Sequence, residues 1–300
     1  MTNTSTPTAP HRRGVINRLR TFPVTWMIIG TVLVVLTSAV FTAIGAESGP
    51  IGMALMALIG MAAGSAFYVL TMRVIARRRI PELALRTASR EALTGLGIGA
   101  AFVIVSYGIV LVAGGYSIDW APRDVGKTLM LAIAVNASAA VIEELTFRGL
   151  LFQGIERLGG RERGRWIALT VTAALFGALH IMNPGATLWT SLAIAVEAGV
   201  LLGAAFLWRR SLWFVIGIHF AWNVIEGLLG IPVSGHRDAG LFITTVHGDG
   251  LLTGGTFGLE ASLVPVIVSL AIAVPMLTAA ARQRPTEMDD QTAPPTRSRS

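Results

Sequence analysis

Long apolar runs alternate with short polar connections along most of the 300-residue chain. Each run is close to the roughly 20 residues that an α-helix needs to cross the hydrocarbon core of a bilayer. The pattern therefore predicts a polytopic bundle of about eight transmembrane helices. The predicted spans are 24–44, 51–72, 92–112, 128–153, 166–182, 188–208, 212–230 and 259–281.

The composition places the chain in the all-α membrane class. Hydrophobic residues make up 53% of the chain and charged residues 14%, against about 25% charged residues in soluble domains. The net charge is +7, but the arginines lie in short clusters between the apolar runs, so we expect no nucleic-acid partner. The chain has no cysteine, which excludes disulfides, thiolate metal sites and a cysteine nucleophile.

The arginine clusters predict the orientation of the helices. With a cytoplasmic N-terminus, eighteen arginines fall in the inner connections and tails, and three basic residues fall in the outer ones: Arg123, Lys127 and Arg237. Cytoplasmic connections of membrane proteins carry an excess of arginine and lysine. We therefore expect an integral membrane protein with both termini in the cytoplasm.

The same pattern predicts how the chain is divided. The segments are a disordered basic tail at 1–20, N-terminal transmembrane helices at 21–127, a core that carries the polar motifs at 128–230, a glycine-rich extracytoplasmic loop at 231–258, a last helix at 259–281 and a disordered tail at 282–300. Small residues four apart allow helices to approach closely. Such pairs are Gly60/Gly64, Gly95/Gly99 and Gly199/Gly203.

The most informative stretch, 141–148, places Glu143, Glu144 and Arg148 inside a predicted span. An ionisable group at the bilayer centre costs about 2.5–3.5 kcal/mol on insertion scales. On a helix, Glu144 and Arg148 are four apart and can pair, whereas Glu143 is turned away from both. An unpaired carboxylate suits a general base or a metal ligand. The alternative is a structural ion-pair cluster that holds helices together.

Other spans carry further polar groups. They are His180, Glu197, His219, Asn223 and Glu226. The last three share one stripe of the seventh predicted helix, which must face the protein interior or a water-filled cavity. A structural network would also explain such a stripe. Two histidines with free carboxylates can hold a metal ion or activate a water without one, and neither H-E-x-x-H nor G-x-S-x-G is present.

Three motifs of the core resemble a known family in order and spacing. They are Glu143-Glu144-Leu-Thr-Phe-Arg148, Phe176-Gly-Ala-Leu-His180 and His219-Phe-Ala-Trp-Asn223. They are similar to the E-E-x-x-x-R, F-x-x-x-H and H-x-x-x-N/D motifs of the CPBP intramembrane proteases. That family includes type II CAAX prenyl endopeptidases and bacterial ABI proteins linked to bacteriocin processing and immunity. The resemblance covers about residues 128–230.

The resemblance implies an intramembrane endopeptidase. Glu143 and His180 would polarise the attacking water, with Glu143 as general base. His219 and Asn223 would donate hydrogen bonds to the oxyanion, and the loss of one such donor typically costs about 10²–10³ in rate. The expected location is a bacterial plasma membrane, and the expected partners are the lipid bilayer and a peptide or protein substrate that is itself membrane-associated.

Further residues have supporting roles. By the same resemblance, Glu144 and Arg148 brace the helix and tune Glu143. Glu226 shares the stripe of His219 and is expected to orient it, and Glu197 is expected to do the same from the sixth helix.

The cofactor remains open at this point. A divalent metal such as zinc would be held by Glu143, His180 and His219. A glutamate-dependent mechanism without a metal fits the same groups.

Two other functions use the same buried groups. One is an ion-coupled transporter, which the missing inverted repeat disfavours. The other is a non-catalytic immunity or scaffold protein that keeps the fold. The polar residues of the 231–258 loop, His236, Asp238, His247 and Asp249, are expected to be solvated, with a second metal site as the alternative; the loop itself could cap the site or touch a substrate.

Overall fold

A computed structural model describes residues 21–283, and within this range the chain folds into a bundle of eight main helices. They are α1 Pro23–Ala46, α2 Gly49–Ile75, α3 Leu85–Val112, α4 Val125–Gly159, α5 Arg161–Leu179, α6 Leu188–Arg209, α7 Leu212–Leu228 and α8 Leu263–Arg282. Short helical turns lie at Pro81–Leu83, His180–Met182, Gly250–Thr253 and Leu259–Ala261. The tails predicted at 1–20 and beyond 283 lie outside the described residues.

The predicted polytopic all-α membrane class is confirmed. Within residues 21–283, seven helices are long and apolar enough to cross a membrane. The shorter apolar helix, α7, has 17 residues, at the lower end of the length that a crossing requires. The number of crossings and the side of the termini stay predictions.

Local sequence accounts for where several helices begin. Pro23 and Pro50 occupy first-turn positions of α1 and α2, where no intrahelical N–H partner is lost. The side chains of Asp124, Ser211 and Ser262 accept backbone N–H groups at the starts of α4, α7 and α8.

One helix start differs clearly from its prediction. α3 begins at Leu85, whereas the apolar pattern predicted a start at residue 92. Its first turns contain Arg90 and Glu91, and the Glu91 carboxylate is paired with Arg209 of α6 at 2.6 Å. The ion pair lets charged residues extend the helix beyond its apolar stretch.

Two short strands were not predicted from the sequence. β1 (Tyr116–Trp120) pairs antiparallel with β2 (Phe242–Val246), with Tyr116 opposite Val246 and Trp120 opposite Phe242. The pair joins the α3–α4 connection to the 231–258 loop. We call the end of the bundle that carries these connections the strand face.

The glycine pairs lie where helices touch, as the small-residue pattern predicted. A Cβ on Gly95 would come within 2.2 Å of the Phe214 carbonyl oxygen, and one on Gly99 within 2.3 Å of the Ile218 carbonyl oxygen. α3 and α7 are therefore in backbone contact. Because Ile218 precedes His219, this contact sets the position of a candidate catalytic residue.

A buried ion-pair network supports the opposite end of α4. The Glu82 carboxylate accepts hydrogen bonds from Tyr68 at 2.6 Å, Arg78 at 3.1 Å and Gln153 at 3.1 Å. Burial opposes the ionisation of Glu82, but the Arg78 charge and these hydrogen bonds outweigh it and hold the pKa of the Glu82 carboxyl below its usual value.

We expect Gly99→Ala to destabilise the protein, because its Cβ meets backbone that cannot rotate away. Gly97→Ala on the same helix is the matched control, since a Cβ there meets nothing within 4 Å and alanine favours the helix by about 1 kcal/mol. Thermal unfolding in detergent measures both. Equal melting temperatures for the two variants would contradict the close contact between α3 and α7.

We expect Glu82→Gln to destabilise the fold, since removing one partner of a buried ion pair costs about 3–5 kcal/mol. Because the pKa of Glu82 is lower in the folded than in the unfolded protein, its ionisation stabilises the folded state at any pH above the unfolded-state pKa of about 4.3. This stabilisation is lost as the pH falls from there through the folded-state pKa. The gap in melting temperature between wild type and Glu82→Gln should therefore narrow below that pH. Glu47→Gln, at an exposed position, should show no such gap.

Candidate active site

The site begins at a change of helix type in α4. The helix is α-helical up to Glu144 and π-helical over Leu145–Phe152, and such segments are frequent at functional sites. The predicted pair forms here: Arg148 Nη1 donates to Glu144 Oε1 at 2.9 Å, with side-chain exposures of 1% and 0%. Glu144 and Arg148 are thus fixed in the protein interior.

Arg148 also connects α4 to α6. Its Nη2 donates to the carbonyl oxygens of Ala198 at 2.6 Å and Gly199 at 3.3 Å. Both carbonyls belong to a second π-helical segment, Ala195–Val200. The guanidinium group therefore fixes two irregular helix segments relative to one another.

The Glu144 carboxylate orients His219 of α7. His219 Nδ1 lies 2.9 Å from Glu144 Oε1. A carboxylate in an ion pair only accepts hydrogen bonds, so Nδ1 carries the proton and Nε2 is left for other chemistry. His219 Nε2 lies 3.9 Å from Glu143 Oε2.

Glu143 is not paired with Arg148, as the helix spacing predicted. Its side chain is 35% exposed, and within the described residues its ionic neighbour closer than 4 Å is His219. Arg148 pairs with Glu144 instead. Two adjacent carboxylates thus have different environments: one is buried and paired, the other is accessible.

His180 lies at the end of α5 and reaches the site through Phe176. Its Nδ1 lies 2.7 Å from the Phe176 carbonyl oxygen, which can only accept, so Nε2 is again the free nitrogen. The Phe176 ring stacks on His180 at a centroid distance of 4.7 Å and meets the His219 ring at 6.3 Å. Among residues 21–283, no hydrogen bond or ion pair joins His180 directly to Glu143.

The predicted polar stripe of α7 is buried. His219, Asn223 and Glu226 are exposed by 5%, 6% and 1%. Asn223 makes no side-chain hydrogen bond within the described part of the chain, so its amide has no fixed partner there.

The supporting roles expected for Glu226 and Glu197 differ from what the structure contains. The partner of His219 is Glu144, and neither Glu226 nor Glu197 hydrogen-bonds to His219. Both Glu197 oxygens and Glu226 Oε2 are buried without a partner among the described residues. Spacing along one helix placed Glu226 on the correct face but could not show that α4 supplies the closer carboxylate.

The candidate metal ligands do not converge. In the range 21–283, no three His, Asp or Glu side chains are grouped so that they could hold a metal ion. His219 Nε2 is free because Nδ1 binds Glu144, but no hydrogen bond or ion pair between described residues joins His180 to His219, and both rings instead contact the Phe176 ring. Glu143, His180 and His219 therefore do not fit a common metal position in the described part of the chain.

The polar residues of the loop have separate environments. Asp249 accepts from Leu251 N as a helix cap, and His247 Nε2 lies 2.8 Å from the Ser117 hydroxyl. His236 and Asp238 lie at the rim of a cavity. The loop therefore supplies no second metal cluster within the described residues.

This cavity, of about 540 Å³, opens at the strand face between the α1–α2 turn, α4, the end of α7 and the loop. Its lining includes Ala132 and Asn136 of α4 and Gly227 of α7. Helical spacing puts positions 132, 136 and 143 on one face of α4, and positions 227, 223 and 219 on one face of α7. The cavity therefore lies on the two helix faces that carry Glu143, Asn223 and His219.

Two features of this region could not be predicted from the sequence. The cavity depends on contacts between distant segments, which spacing does not show. Glu260, in the turn before α8, is only 4% exposed, but one carboxylate in a short turn gives no periodic signal.

Comparison with known proteins agrees with the motifs. Residues 125–225 match the family model described as type II CAAX prenyl endopeptidase Rce1-like, a range that contains all three motifs. The comparisons with curated proteins and with solved structures gave no match. Residues 125–225 are thus similar to the Rce1-like type II CAAX prenyl endopeptidases, and this similarity is consistent with a CPBP family protease.

Proposed function

We propose that this protein is an intramembrane endopeptidase that hydrolyses a peptide bond with a water activated by Glu143. One observation carries the proposal: an accessible carboxylate, Glu143, faces a histidine that a buried ion pair holds in one orientation. An inert helix bundle has no need of an accessible glutamate beside an oriented histidine within the bilayer.

Glu143 acts as the general base. It takes one proton from a water molecule as the water oxygen bonds to the peptide carbonyl carbon. His180 Nε2, left free because Nδ1 donates to the Phe176 carbonyl, accepts the second hydrogen of that water. When the tetrahedral intermediate collapses, the C–N bond breaks and the proton held by Glu143 passes to the leaving nitrogen.

Asn223 and His219 stabilise the oxyanion. The Asn223 amide donates from a buried position on α7. His219 Nε2 donates only when the ring is protonated, because Nδ1–H is already bound to Glu144. Preformed donors in a water-poor site require little reorganisation during the reaction.

The substrate we propose is a peptide or protein segment that enters through the strand-face cavity. The cavity is large enough for such a ligand, since binding pockets commonly measure about 300–1,000 Å³. The apolar part of its wall, which includes Met53, Leu131 and Val135, suits a segment that comes from the membrane, and the charged residues Arg123, Asp124, Lys127 and Asp238 lie beside it. The arginine distribution supports cytoplasmic termini and hence an extracytoplasmic strand face.

We expect Glu143→Gln to lower cleavage by about 10²–10⁴-fold, the usual contribution of a general base, while leaving folding intact. The assay is hydrolysis of a quenched fluorescent peptide library by detergent-purified protein. Glu162→Gln, at an exposed position of α5, is the control and should keep full activity. Undiminished cleavage by Glu143→Gln would refute the mechanism, and a wild-type protein that cleaves no member of the library would count against the peptidase.

We expect a thiol label inside the cavity to block cleavage. The chain has no cysteine, so Val135→Cys, which lines the cavity, introduces a unique site. Ile133→Cys on the same helix is the control, because that side chain is 48% exposed on the outside of the bundle. Mass spectrometry verifies labelling, and a cleavable peptide should protect residue 135 but not residue 133. Full activity of labelled Val135→Cys would exclude this route.

A further inference from the structure

Glu260 is a buried carboxylate outside the family-matched region. It lies in the turn Leu259–Ala261 before α8 and is 4% exposed. Burial raises the pKa of the Glu260 carboxyl, and the proximity of His180 and the hydrogen bond from Ser234 lower it in part. Its carboxylate is close enough to His180 and His219 to interact with both electrostatically. The proposed mechanism does not use this group.

The Glu260 side chain holds the strand-face loop at Ser234. The Ser234 backbone N–H donates to Glu260 Oε2 at 2.6 Å. Ser234 has φ of 48°, in the left-handed region that residues other than glycine rarely adopt. Such a conformation persists only where surrounding contacts fix it, and the Glu260 hydrogen bond is one of these contacts.

The other side of Ser234 is bound to the segment that carries His180. Asn183 Nδ2 donates to the Ser234 carbonyl oxygen at 3.0 Å. The Asn183 backbone N–H in turn donates to the His180 carbonyl oxygen at 3.1 Å. A continuous chain of hydrogen bonds therefore runs from Glu260 through Ser234 and Asn183 to His180. We call Glu260, Ser234 and Asn183 the Ser234 clamp.

A second contact fixes the turn that carries Glu260. Trp189 Nε1 of α6 donates to the Ala261 carbonyl oxygen at 2.7 Å. The turn is thus fixed to the bundle, and the Glu260 carboxylate connects the loop to this fixed turn.

We propose that Glu260 is a positioning residue for the hydrolytic site, which fixes His180 through the Ser234 clamp. This inference rests on the proposed function. Glu260 does not touch the reacting atoms. It determines where the end of α5, and hence His180 Nε2, stands relative to the attacking water, because it holds Ser234 of the loop against Asn183.

The clamp requires a hydrogen-bond acceptor at residue 260, and the amide oxygen of glutamine supplies one. We therefore expect Glu260→Ala to lower kcat by about 10–100-fold, the effect of a small misplacement of a catalytic group, with little change in KM. Glu260→Gln should restore most of kcat. Asp249→Asn, in the same loop but outside the clamp and the cavity lining, should match wild type.

Two further measurements separate positioning from general destabilisation. Backbone amide hydrogen exchange of residues 233–236 should be about tenfold faster in Glu260→Ala than in wild type and Glu260→Gln, because local opening no longer has to break the clamp. Glu260→Ala and Asn183→Ala should be non-additive in kcat, since either change breaks the same chain of hydrogen bonds.

The outcomes distinguish this inference from the proposed function. Wild-type cleavage with an unchanged kcat in Glu260→Ala would overturn the positioning role alone. Glu260→Gln falling as far as Glu260→Ala would also overturn it, since the acceptor would then be insufficient. If Glu143→Gln cleaves as well as wild type, the peptidase mechanism itself fails.

Discussion

The buried ion pair between Arg148 and Glu144 is the interaction on which the rest of the site depends. One guanidinium group binds the carboxylate of its own helix and two carbonyl oxygens of α6, and the same carboxylate orients the imidazole of α7. Three helices are thus fixed by two side chains. Breaking such a pair leaves an uncompensated buried charge, which costs about 3–5 kcal/mol. In a membrane, where apolar side chains gain little by leaving lipid, these polar contacts and close packing determine how helices associate.

Neighbouring glutamates have different environments because successive side chains on a helix point about 100° apart. Glu144 is fully buried and serves Arg148 and His219, whereas Glu143 is partly exposed and unpaired with arginine. This division suits the proposed hydrolytic mechanism, which needs one charge that is permanently paired and one carboxylate that can accept a proton. Phe176 adds a rigid element, since its ring contacts both histidines and lies 5.2 Å from the Arg148 guanidinium carbon.

Much of the fold and the centre of the site could be predicted from the sequence, for identifiable reasons. Apolar length locates membrane helices, and the four-residue spacing of Glu144 and Arg148 makes their pairing predictable. Glycine pairs such as Gly95 and Gly99 indicated close packing correctly. What spacing cannot supply is contact between distant segments. Glu144 orients His219, and β1 pairs with β2, across long stretches of the chain. The burial of Glu260 likewise depends on segments that are distant in sequence. The early start of α3 was missed because its charged residues are compensated by Arg209 of another helix.

The π-helical segment of α4 has a consequence for the two ends of that helix. A π segment accommodates one residue more than an α-helical turn of the same length. In α4 it lies between the part that lines the cavity and the part whose Gln153 binds Glu82. Deleting a single residue there would turn one end by about 100° relative to the other, as the helical period dictates. The π segment therefore sets the rotation between the two ends of α4, so that each end presents the side chains that its own neighbouring helices require.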